Sequence, residues 1–294
     1  MNYQQTIDYL FNSTPVFEKV GASAYKEGLY NTKALDAHFG HPHTKYRTIH
    51  VAGTNGKGSC SHTLAAILQS AGYKVGLYTS PHLVDFRERI RVNGECVSEK
   101  YVVDFVERER HFFEPLHPSF FELTTAMALK YFADAGVDIA VIEVGLGGRL
   151  DCTNIITPIV SVITNISFDH TQFLGDTLAK IAGEKAGIIK PGVPVVVGEY
   201  TEETRPVFER KALECGSPIV FAEDRKEVLS YAHGADGKMQ YVTASFGEVR
   251  GELTGSYQVC NANTILNVAD ILMAKGVVRG AECVKEGFAD VCRL

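Results

Sequence analysis

The sequence predicts a doubly wound α/β fold built on a mainly parallel sheet. Short apolar runs, such as residues 47–52 and 138–144, alternate along the chain with longer segments of helical periodicity. A glycine-rich turn joins the first of these strands to a helix, as in right-handed βαβ units. The 294-residue chain has 45% hydrophobic and 22% charged residues, which is the composition of a folded protein with a substantial core.

The predicted elements of the first 215 residues follow this alternation. They are a strand at 47–52, a helix at 57–72, a strand at 74–79, a hairpin at 90–97, helices at 101–113 and 120–135, strands at 138–144 and 159–165, a helix at 176–187, a strand at 193–197 and a helix at 202–215. Apolar runs of this length, bounded by turn-forming residues, are typical of buried strands. Asn93 and Gly94 lie between β-type residues and predict the tight turn of the hairpin.

The pattern weakens beyond residue 222. Residues 238–243 and 248–253 predict an antiparallel pair at the edge of the sheet, inside a hairpin region of about 223–256. Two further helices are predicted at 258–275 and 281–289. No repeat, low-complexity segment or linker divides the chain, so we expect a single α/β domain over residues 1–294.

Charge and cysteine content argue against several classes of protein. The chain has 29 Lys plus Arg against 35 Asp plus Glu, a net charge of −6 without basic runs, which disfavours nucleic-acid and anionic-membrane binding. The seven cysteines are odd in number and form no CxxC pair, which fits a reducing compartment rather than a disulfide framework or a cysteine-based zinc site. No signal peptide is visible, and the apolar stretches are too short to span a bilayer. We therefore expect a cytoplasmic protein with small-molecule partners, no nucleic acid and no membrane.

The strongest local motif is the glycine-rich loop between the first strand and the first helix. It comprises Gly53, Thr54, Asn55, Gly56, Lys57, Gly58 and Ser59. In such a loop backbone N–H groups face phosphate oxygens, and the helix dipole favours negative charge. Lys57 is placed to reach the β- and γ-phosphates of a nucleotide, and Ser59 to contact the phosphates or Mg²⁺. Gly58 replaces the Ser or Thr of the general Walker pattern, so a plain strand-to-helix turn remains the alternative.

Other polar residues follow the ends of three further strands. Ser80 comes after the second strand, Glu143 ends a buried strand, and His170 follows the strand at 159–165. Ligands of open α/β sheets bind outside these strand ends, and hard oxygen ligands suit Mg²⁺. The alternatives are a Ser-Pro turn, a loop-capping carboxylate and a structural histidine. We expect the three residues to meet Lys57 at one edge of the sheet.

Taken together and in order, the motifs resemble those of the Mur ligase superfamily, and within it the folate branch of folylpolyglutamate and dihydrofolate synthases. The matching segments are GTNGKGS at 53–59, TSPHL at 79–83, RERIRVNGE at 87–95, FELTTAMA at 121–128, EVGLGGRLDCTN at 143–154, ITNISFDH at 163–170, the region 174–192 with EKAGIIKPG, and YQVCNANTIL at 257–266. The resemblance covers nearly the whole chain, and Gly58 is the folate-branch form of the loop. The ordered set disfavours another P-loop NTPase such as a small-molecule kinase.

The resemblance implies an ATP-dependent ligase. Such an enzyme adds L-glutamate to dihydropteroate, to tetrahydrofolate polyglutamates or to both, through an acyl phosphate. The implied catalytic residues are Lys57, Lys185 and His170; the implied Mg²⁺ ligands are Ser80, Glu143 and His170; and Asn261 is an implied nucleotide contact. Lys185 matches a lysine that is carbamylated in the family, although a basic residue near a helix C-terminus also has an ordinary electrostatic explanation.

The implied pocket for the pterin group is distributed over three segments. Family matches fall on Leu29, Tyr30 and Asn31, on residues 119–122 with Phe121 and Glu122, and on Leu150, Asp151 and Cys152. Phe121 would offer an aromatic face and Asp151 an acceptor for the N–H donors of the ring, while an ordinary core position is the alternative for Phe121. Cys152 stands where the family has Ala.

The resemblance also implies a second domain. Family members continue into a smaller C-terminal α/β domain, whose first segment resembles WPGR and contacts ATP. This sequence has no Trp and ends about where that segment should begin. We therefore expect the ATP-binding domain alone, with the glutamate-ligase domain absent and acting as its intramolecular partner in a longer protein. The isolated chain is accordingly expected to be an incomplete ligase that is poorly active. The alternative is a non-catalytic nucleotide- or pterin-binding fragment.

Overall fold

The structure is a computed structural model that describes residues 1–14 and 28–291. Its main feature is an eight-stranded, mostly parallel sheet. The strands are β1 (Arg47–Ala52), β2 (Val75–Tyr78), β3 (Ile90–Val92), β4 (Glu95–Cys96), β5 (Ile139–Glu143), β6 (Val160–Ile163), β7 (Val195–Val197) and β8 (Ile219–Phe221). The predicted span of 1–294 for one domain includes residues 15–27 and 292–294, outside the described residues, and stays a prediction.

Helices cover both faces of this sheet. Those of the described residues are α1 (Tyr3–Ser13), α2 (Tyr30–His38), α3 (Lys57–Ser70), α4 (Glu99–Phe113), α5 (Phe120–Ala135), α6 (Thr171–Leu174), α7 (Leu178–Ala186), α8 (Arg205–Cys215), α9 (Gln258–Ala274) and α10 (Ala281–Ala289). None of them combines the length and the apolarity needed to cross a membrane.

The strand order places β1 in the middle of the sheet. The order is β4-β3-β2-β5-β1-β6-β7-β8, and β1 pairs in parallel with both β5 and β6. The carboxyl ends of β1, β2, β5, β6 and β7 therefore lie at one edge, where the predicted site residues follow them. The doubly wound fold predicted from the alternation is confirmed, including the antiparallel hairpin of β3 and β4.

Alternating side chains of the central strands pack on the two faces of the sheet. Ile49 and Val51 of β1 pack with Leu64 of α3 and with α9 and α10 on one face. Ile142 of β5 packs with Phe132 of α5 on the other face. Strands buried on both faces are typical of parallel sheets between helical layers, and they hold the strand ends at fixed positions.

One predicted location is wrong. β10 (Met239–Thr243) and β11 (Glu248–Gly251) pair antiparallel as expected, but they join β9 (Val228–His233) in a separate three-stranded sheet. The edge of the large sheet is occupied by β8 instead. The small sheet buries Tyr241, whose ring meets Phe288 of α10 at 6.3 Å between centroids. Burial of this apolar face, rather than strand pairing, fixes its position.

Candidate functional site

The glycine-rich loop ends at an uncapped helix N-terminus. Gly56 is the N-cap residue of the 14-residue helix α3 and has a left-handed backbone with φ of 81°. A Cβ atom there would lie 2.2 Å from Asn261 Oδ1, so the loop requires glycine at this position. No side chain caps the helix and its first turn contains no acidic residue. The N–H groups of the first turn are therefore available to an anion.

The first half of the loop is fixed by the segment that follows β6. The Thr54 N–H donates to Asn165 O at 3.0 Å, and the Asn55 N–H donates to Asn165 Oδ1 at 2.9 Å. The Ser167 N–H donates to the Thr54 hydroxyl at 3.1 Å, and the Thr164 hydroxyl donates to Asn55 O. These bonds occupy the N–H groups of Thr54 and Asn55 and fix the loop against the segment after β6, while the helix start that follows at Gly56 has no side-chain cap.

Two lysine ammonium groups meet at one carbonyl of the loop. Lys57 Nζ donates to Gly53 O and to Thr54 O, both at 3.1 Å. Lys185 Nζ donates to the same Gly53 O at 2.9 Å. Lys185 is only 4% exposed, and its burial, reinforced by the charge of Lys57, lowers its pKa to about 8. Both lysines thus contact the glycine-rich loop, and the predicted roles of Lys57 at nucleotide phosphates and of Lys185 beside a metal stay predictions.

Lys185 reaches the loop because α7 packs closely on the segment after β5. A Cβ atom at Gly148 would lie 2.7 Å from Glu184 O, so only glycine permits this approach. The Arg149 N–H donates to the same carbonyl oxygen at 2.8 Å, and the Arg149 guanidinium group contacts the Glu184 carboxylate at 2.8 Å. These contacts join two sequence motifs and fix the end of α7.

Glu143 supplies a buried carboxylate beside this loop. It is 3% exposed, and burial raises its pKa to about 7, although the Lys57 charge and the Ser80 N–H act in the opposite direction. Its Oε2 atom has no hydrogen-bond partner among the described residues and lies 3.9 Å from the position of a Cβ atom at Gly58. A buried carboxylate oxygen without a partner, next to Ser80 with its hydroxyl group, fits a hard cation such as Mg²⁺.

His170 is the third residue that the sequence predicts to hold the metal ion. It follows β6 at the start of α6, is exposed, and its ring lies 3.5 Å from the Asp169 carboxylate. The described part of the chain contains no group of three His, Cys, Asp or Glu arranged to hold a metal ion. Lys57 and the Ser80 N–H lie close enough to Glu143 to lower its pKa, and metal ligation by Ser80, Glu143 and His170 stays a prediction.

Asn261 joins the loop through a chain of side-chain hydrogen bonds. Its Nδ2 group donates to Gln258 Oε1 at 2.9 Å, and Gln258 Nε2 donates to the Ser59 hydroxyl at 3.1 Å. Both α9 side chains are buried. Asn261 thus lies next to Gly56, where a nucleotide contact was predicted, and Gln258 is a residue of the site that the sequence argument did not single out.

The predicted pterin pocket lies next to the same strand ends. The Phe121 ring rests on Gly145, where a Cβ atom would lie 2.3 Å from its Cζ atom, and its centroid is 5.9 Å from that of Tyr78. Asn31 is buried and its Nδ2 group donates to the Glu122 carboxylate at 3.3 Å. The remaining predicted pocket residues differ in exposure: Tyr30 is exposed, and Leu29, Leu150 and Cys152 are half-buried.

The two predicted pocket carboxylates are already bonded to the protein. Glu122 accepts from the Ser119 N–H at 2.7 Å and completes a capping box at the start of α5. Asp151 is buried and accepts from the N–H groups of Leu146 at 2.8 Å and Thr153 at 2.9 Å. A direct contact of either carboxylate with a substrate stays a prediction.

Arg89 is a further site residue that the sequence argument passed over. It is buried, its Nε donates to His82 Nδ1 at 2.6 Å, and its guanidinium carbon lies 5.2 Å from the centroid of the Phe120 ring. Its positive charge also acts to lower the pKa of Glu143. The residue lies in the RERIR segment, whose charges are equally typical of a solvated loop, so the sequence alone does not separate the two cases.

Comparison with known proteins identifies the family of the chain. Residues 51–269 match the family described as the Mur ligase middle domain. The chain belongs to the Mur ligase family. The matched region contains the glycine-rich loop, Glu143, Lys185 and Asn261, so the family assignment covers the residues that converge at the sheet edge.

Its relatives within the family are enzymes of folate metabolism. It is 37% identical over 278 residues to the dihydrofolate synthase/folylpolyglutamate synthase of Bacillus subtilis, covering 87% of this chain and 65% of that protein. It is 37% identical over 281 residues to the folylpolyglutamate synthase of Lacticaseibacillus casei, covering 92% of this chain and 64% of that protein. A solved folylpolyglutamate synthase complex with AMPPCP and folate superposes with a TM-score of 0.88 at 34% identity, covering 99% of this chain and 72% of that one.

The chain therefore spans less than two thirds of the length of these two curated relatives, at 65% and 64%. The resemblance to the folate branch, predicted from the motifs, and the doubly wound fold, predicted from the alternation of strands and helices, are both confirmed.

Proposed function

We propose that this chain binds ATP, with its β- and γ-phosphates at the N-terminus of α3. The observation that carries the proposal is the uncapped start of this helix, with Lys57 beside it and a buried carboxylate within reach. The similar folylpolyglutamate synthase binds the ATP analogue AMPPCP, which supports the assignment. Asn261, buried against Gly56, would contact the nucleotide from α9.

Polar residues next to the proposed nucleotide site fit a magnesium ion. Ser80, Glu143 and His170 would hold it, and the unpartnered Oε2 atom of Glu143 supports this assignment. The ion would supply neutralisation of phosphate charge, which is the main requirement of phosphoryl transfer. Lys57 would contribute to the same end as a fixed positive charge after exchanging its two loop carbonyls for phosphate oxygens.

The reaction we propose joins glutamate to a pteroate or folate acceptor. An oxygen of the acceptor carboxylate attacks the γ-phosphorus of ATP, the bond to the β-phosphate oxygen breaks, and ADP leaves. The amine of glutamate then attacks the acyl carbon, and phosphate leaves from the tetrahedral intermediate to give the amide. Phe121, with its ring against Gly145, would provide the flat apolar wall for the acceptor, in agreement with the folate bound by the similar protein.

We further propose that Lys185 reacts with CO₂ to form a carbamate. Its pKa of about 8 leaves part of the population as the neutral amine near neutral pH. The ammonium group first loses a proton; the neutral amine nitrogen then attacks the carbon of CO₂ and loses a second proton, so that the side chain changes from a cation to an anion with two oxygen atoms. This change would remove the repulsion between the ammonium groups of Lys57 and Lys185, which share Gly53 O.

The test measures ADP release with ATP, Mg²⁺, glutamate and dihydropteroate or tetrahydrofolate, together with the affinity for AMPPCP. We expect AMPPCP binding that Lys57→Ala weakens at least about tenfold, and ADP release that requires the acceptor and continues beyond a single turnover only when glutamate is also present. Binding of AMPPCP that is unchanged in Lys57→Ala would contradict the nucleotide site. ADP release that is independent of the acceptor would contradict the ligase reaction and leave a nucleotidase.

A further inference from the structure

A histidine lies in the middle of the central strand, where the sheet is most deeply buried. His50 is fully buried in β1, between Ile142 of β5 and Ser161 of β6 in the pairing register. Its Nε2 atom lies 2.8 Å from the hydroxyl oxygen of Thr153, whereas Nδ1 has no partner among the described residues. Burial lowers its pKa to about 3, so the ring is neutral at physiological pH.

The chemistry of its partners fixes which nitrogen carries the proton. The Thr153 hydroxyl contacts Asp151 Oδ1 as well as His50. Burial raises the pKa of Asp151, whereas the N–H groups of Leu146 and Thr153 that donate to it favour the ionised form. An ionised carboxylate only accepts hydrogen bonds, so the hydroxyl then donates to Asp151 and accepts from His50 Nε2–H. A neutral imidazole with a proton on Nε2 has a bare Nδ1, in agreement with the atom that has no partner. The three side chains form a chain of donors that ends at Asp151.

The other oxygen of Asp151 holds the wall of the proposed acceptor pocket. Asp151 Oδ2 accepts from the Leu146 N–H at 2.8 Å. The preceding residue, Gly145, is the surface on which the Phe121 ring rests. The orientation of the Asp151 carboxylate therefore sets the position of the peptide against which Phe121 packs. Thr153 sets that orientation through its hydrogen bond to Asp151, and His50 through its hydrogen bond to Thr153.

We propose that His50 and Thr153 are positioning residues for the acceptor pocket, acting through Asp151 on the Gly145–Leu146 peptide. The inference rests on the proposed function, because it assigns this pocket to the pteroyl group. It separates the acceptor pocket from the nucleotide site: His50 lies three residues before the glycine-rich loop, yet its hydrogen bond leads to the pocket wall and not to the loop. Loss of the chain should therefore weaken acceptor binding without affecting nucleotide binding.

The experiment measures the dissociation constants of the full chain for pteroate and for AMPPCP by calorimetry. His50→Leu and Thr153→Val should each weaken pteroate binding about tenfold and leave AMPPCP binding unchanged. The double variant should be no worse than either single variant, since both break one chain. His50→Gln, which keeps an N–H donor at the position of Nε2, and Thr153→Ser, which keeps the hydroxyl, should restore pteroate binding.

Ser161→Ala is the matched control. Ser161 is fully buried next to His50 in the sheet, and its hydroxyl donates to Ile188 O at 2.9 Å, away from Asp151. This variant should lower stability and leave both dissociation constants unchanged. Equal weakening of both ligands in the His50 variants, or failure of His50→Gln to restore pteroate binding, would overturn the inference.

A spectroscopic readout tests the chain without any ligand. Long-range ¹⁵N–¹H correlation spectra should show the neutral Nε2–H form of His50, and Thr153→Val should shift the Nε2 resonance. A proton on Nδ1 would overturn the inference whatever the binding data. If the wild-type chain binds no pteroate, the proposed acceptor site fails and this inference fails with it; if it binds pteroate and the variants are unchanged, the inference alone fails.

Discussion

Gly56→Ala should destabilise the protein far more than Gly72→Ala, although both residues have similar backbones. The φ angle is 81° at Gly56 and 89° at Gly72. A Cβ atom at Gly56 would lie 2.2 Å from Asn261 Oδ1, whereas one at Gly72 would meet nothing within 4 Å. The pair therefore separates the cost of a left-handed backbone from that of contact between the glycine-rich loop and α9.

The magnitude follows from the hydrogen bonds that the new methyl group displaces. A left-handed alanine costs about 1–2 kcal/mol in either variant. At Gly56, the buried Asn261 must also move, which breaks its 2.9 Å bond to Gln258 and disturbs the 3.1 Å bond from Gln258 to Ser59. At about 1 kcal/mol for each bond, we expect a loss of about 3–4 kcal/mol for Gly56→Ala.

Urea denaturation of the two variants, with AMPPCP titration alongside, measures the difference. Gly56→Ala should lose about 2 kcal/mol more than Gly72→Ala, and it alone should bind AMPPCP more weakly. Adding Asn261→Ala to Gly56→Ala should cost less than the sum of the single changes, because it removes the obstructing oxygen. Equal losses in the two glycine variants would refute the close contact between the loop and α9.

Three further predictions concern the charged groups. Lys57→Ala should weaken AMPPCP binding at least about tenfold with little change in the urea midpoint; unchanged affinity would exclude a phosphate contact. The pKa of His50 is lowered to about 3 from an unfolded value of 6.5, so the unfolded chain binds more protons in acid. The contribution of His50 to the free energy of unfolding should be constant above pH 6.5 and fall below it, by about 1.4 kcal/mol near pH 5.5. Urea denaturation of His50→Gln should lack this part of the fall. With ¹³C-bicarbonate, a carbamate resonance should be lost in Lys185→Arg and kept in Lys190→Arg, which replaces a half-buried lysine whose pKa is also lowered by burial. Persistence of the resonance in Lys185→Arg would exclude carbamylation there.

Local sequence signals predicted most of the large sheet and its helices. The strand β1, the helix α5 and the hairpin turn at Asn93 carry their signals within a few residues, in apolar runs, caps and turn chemistry. The three-residue strand β8 has no such signal, since it is defined by pairing with β7. The location of the small sheet depends on contacts such as that between Tyr241 and Phe288, which are distant in sequence.

The same distinction applies to the site. The glycine-rich loop and Glu143 could be predicted because strand ends place chemistry at one sheet edge. The sharing of Gly53 O by two lysines and the chain from His50 to Asp151 could not, because each depends on the angle at which one segment packs on another. His50 in particular has the pattern of an ordinary buried strand residue.

Nucleotide binding at the start of α3 is the central claim, and backbone amide chemical shifts recorded during an ATP titration with Mg²⁺ test it most directly. The uncapped N-terminus predicts that the largest shift changes fall on the amides of Lys57, Gly58 and Ser59. Amides of the three-stranded sheet, such as that of Gln240 in β10, should not move. Saturable changes confined to that sheet, or none at all in the glycine-rich loop, would contradict the account.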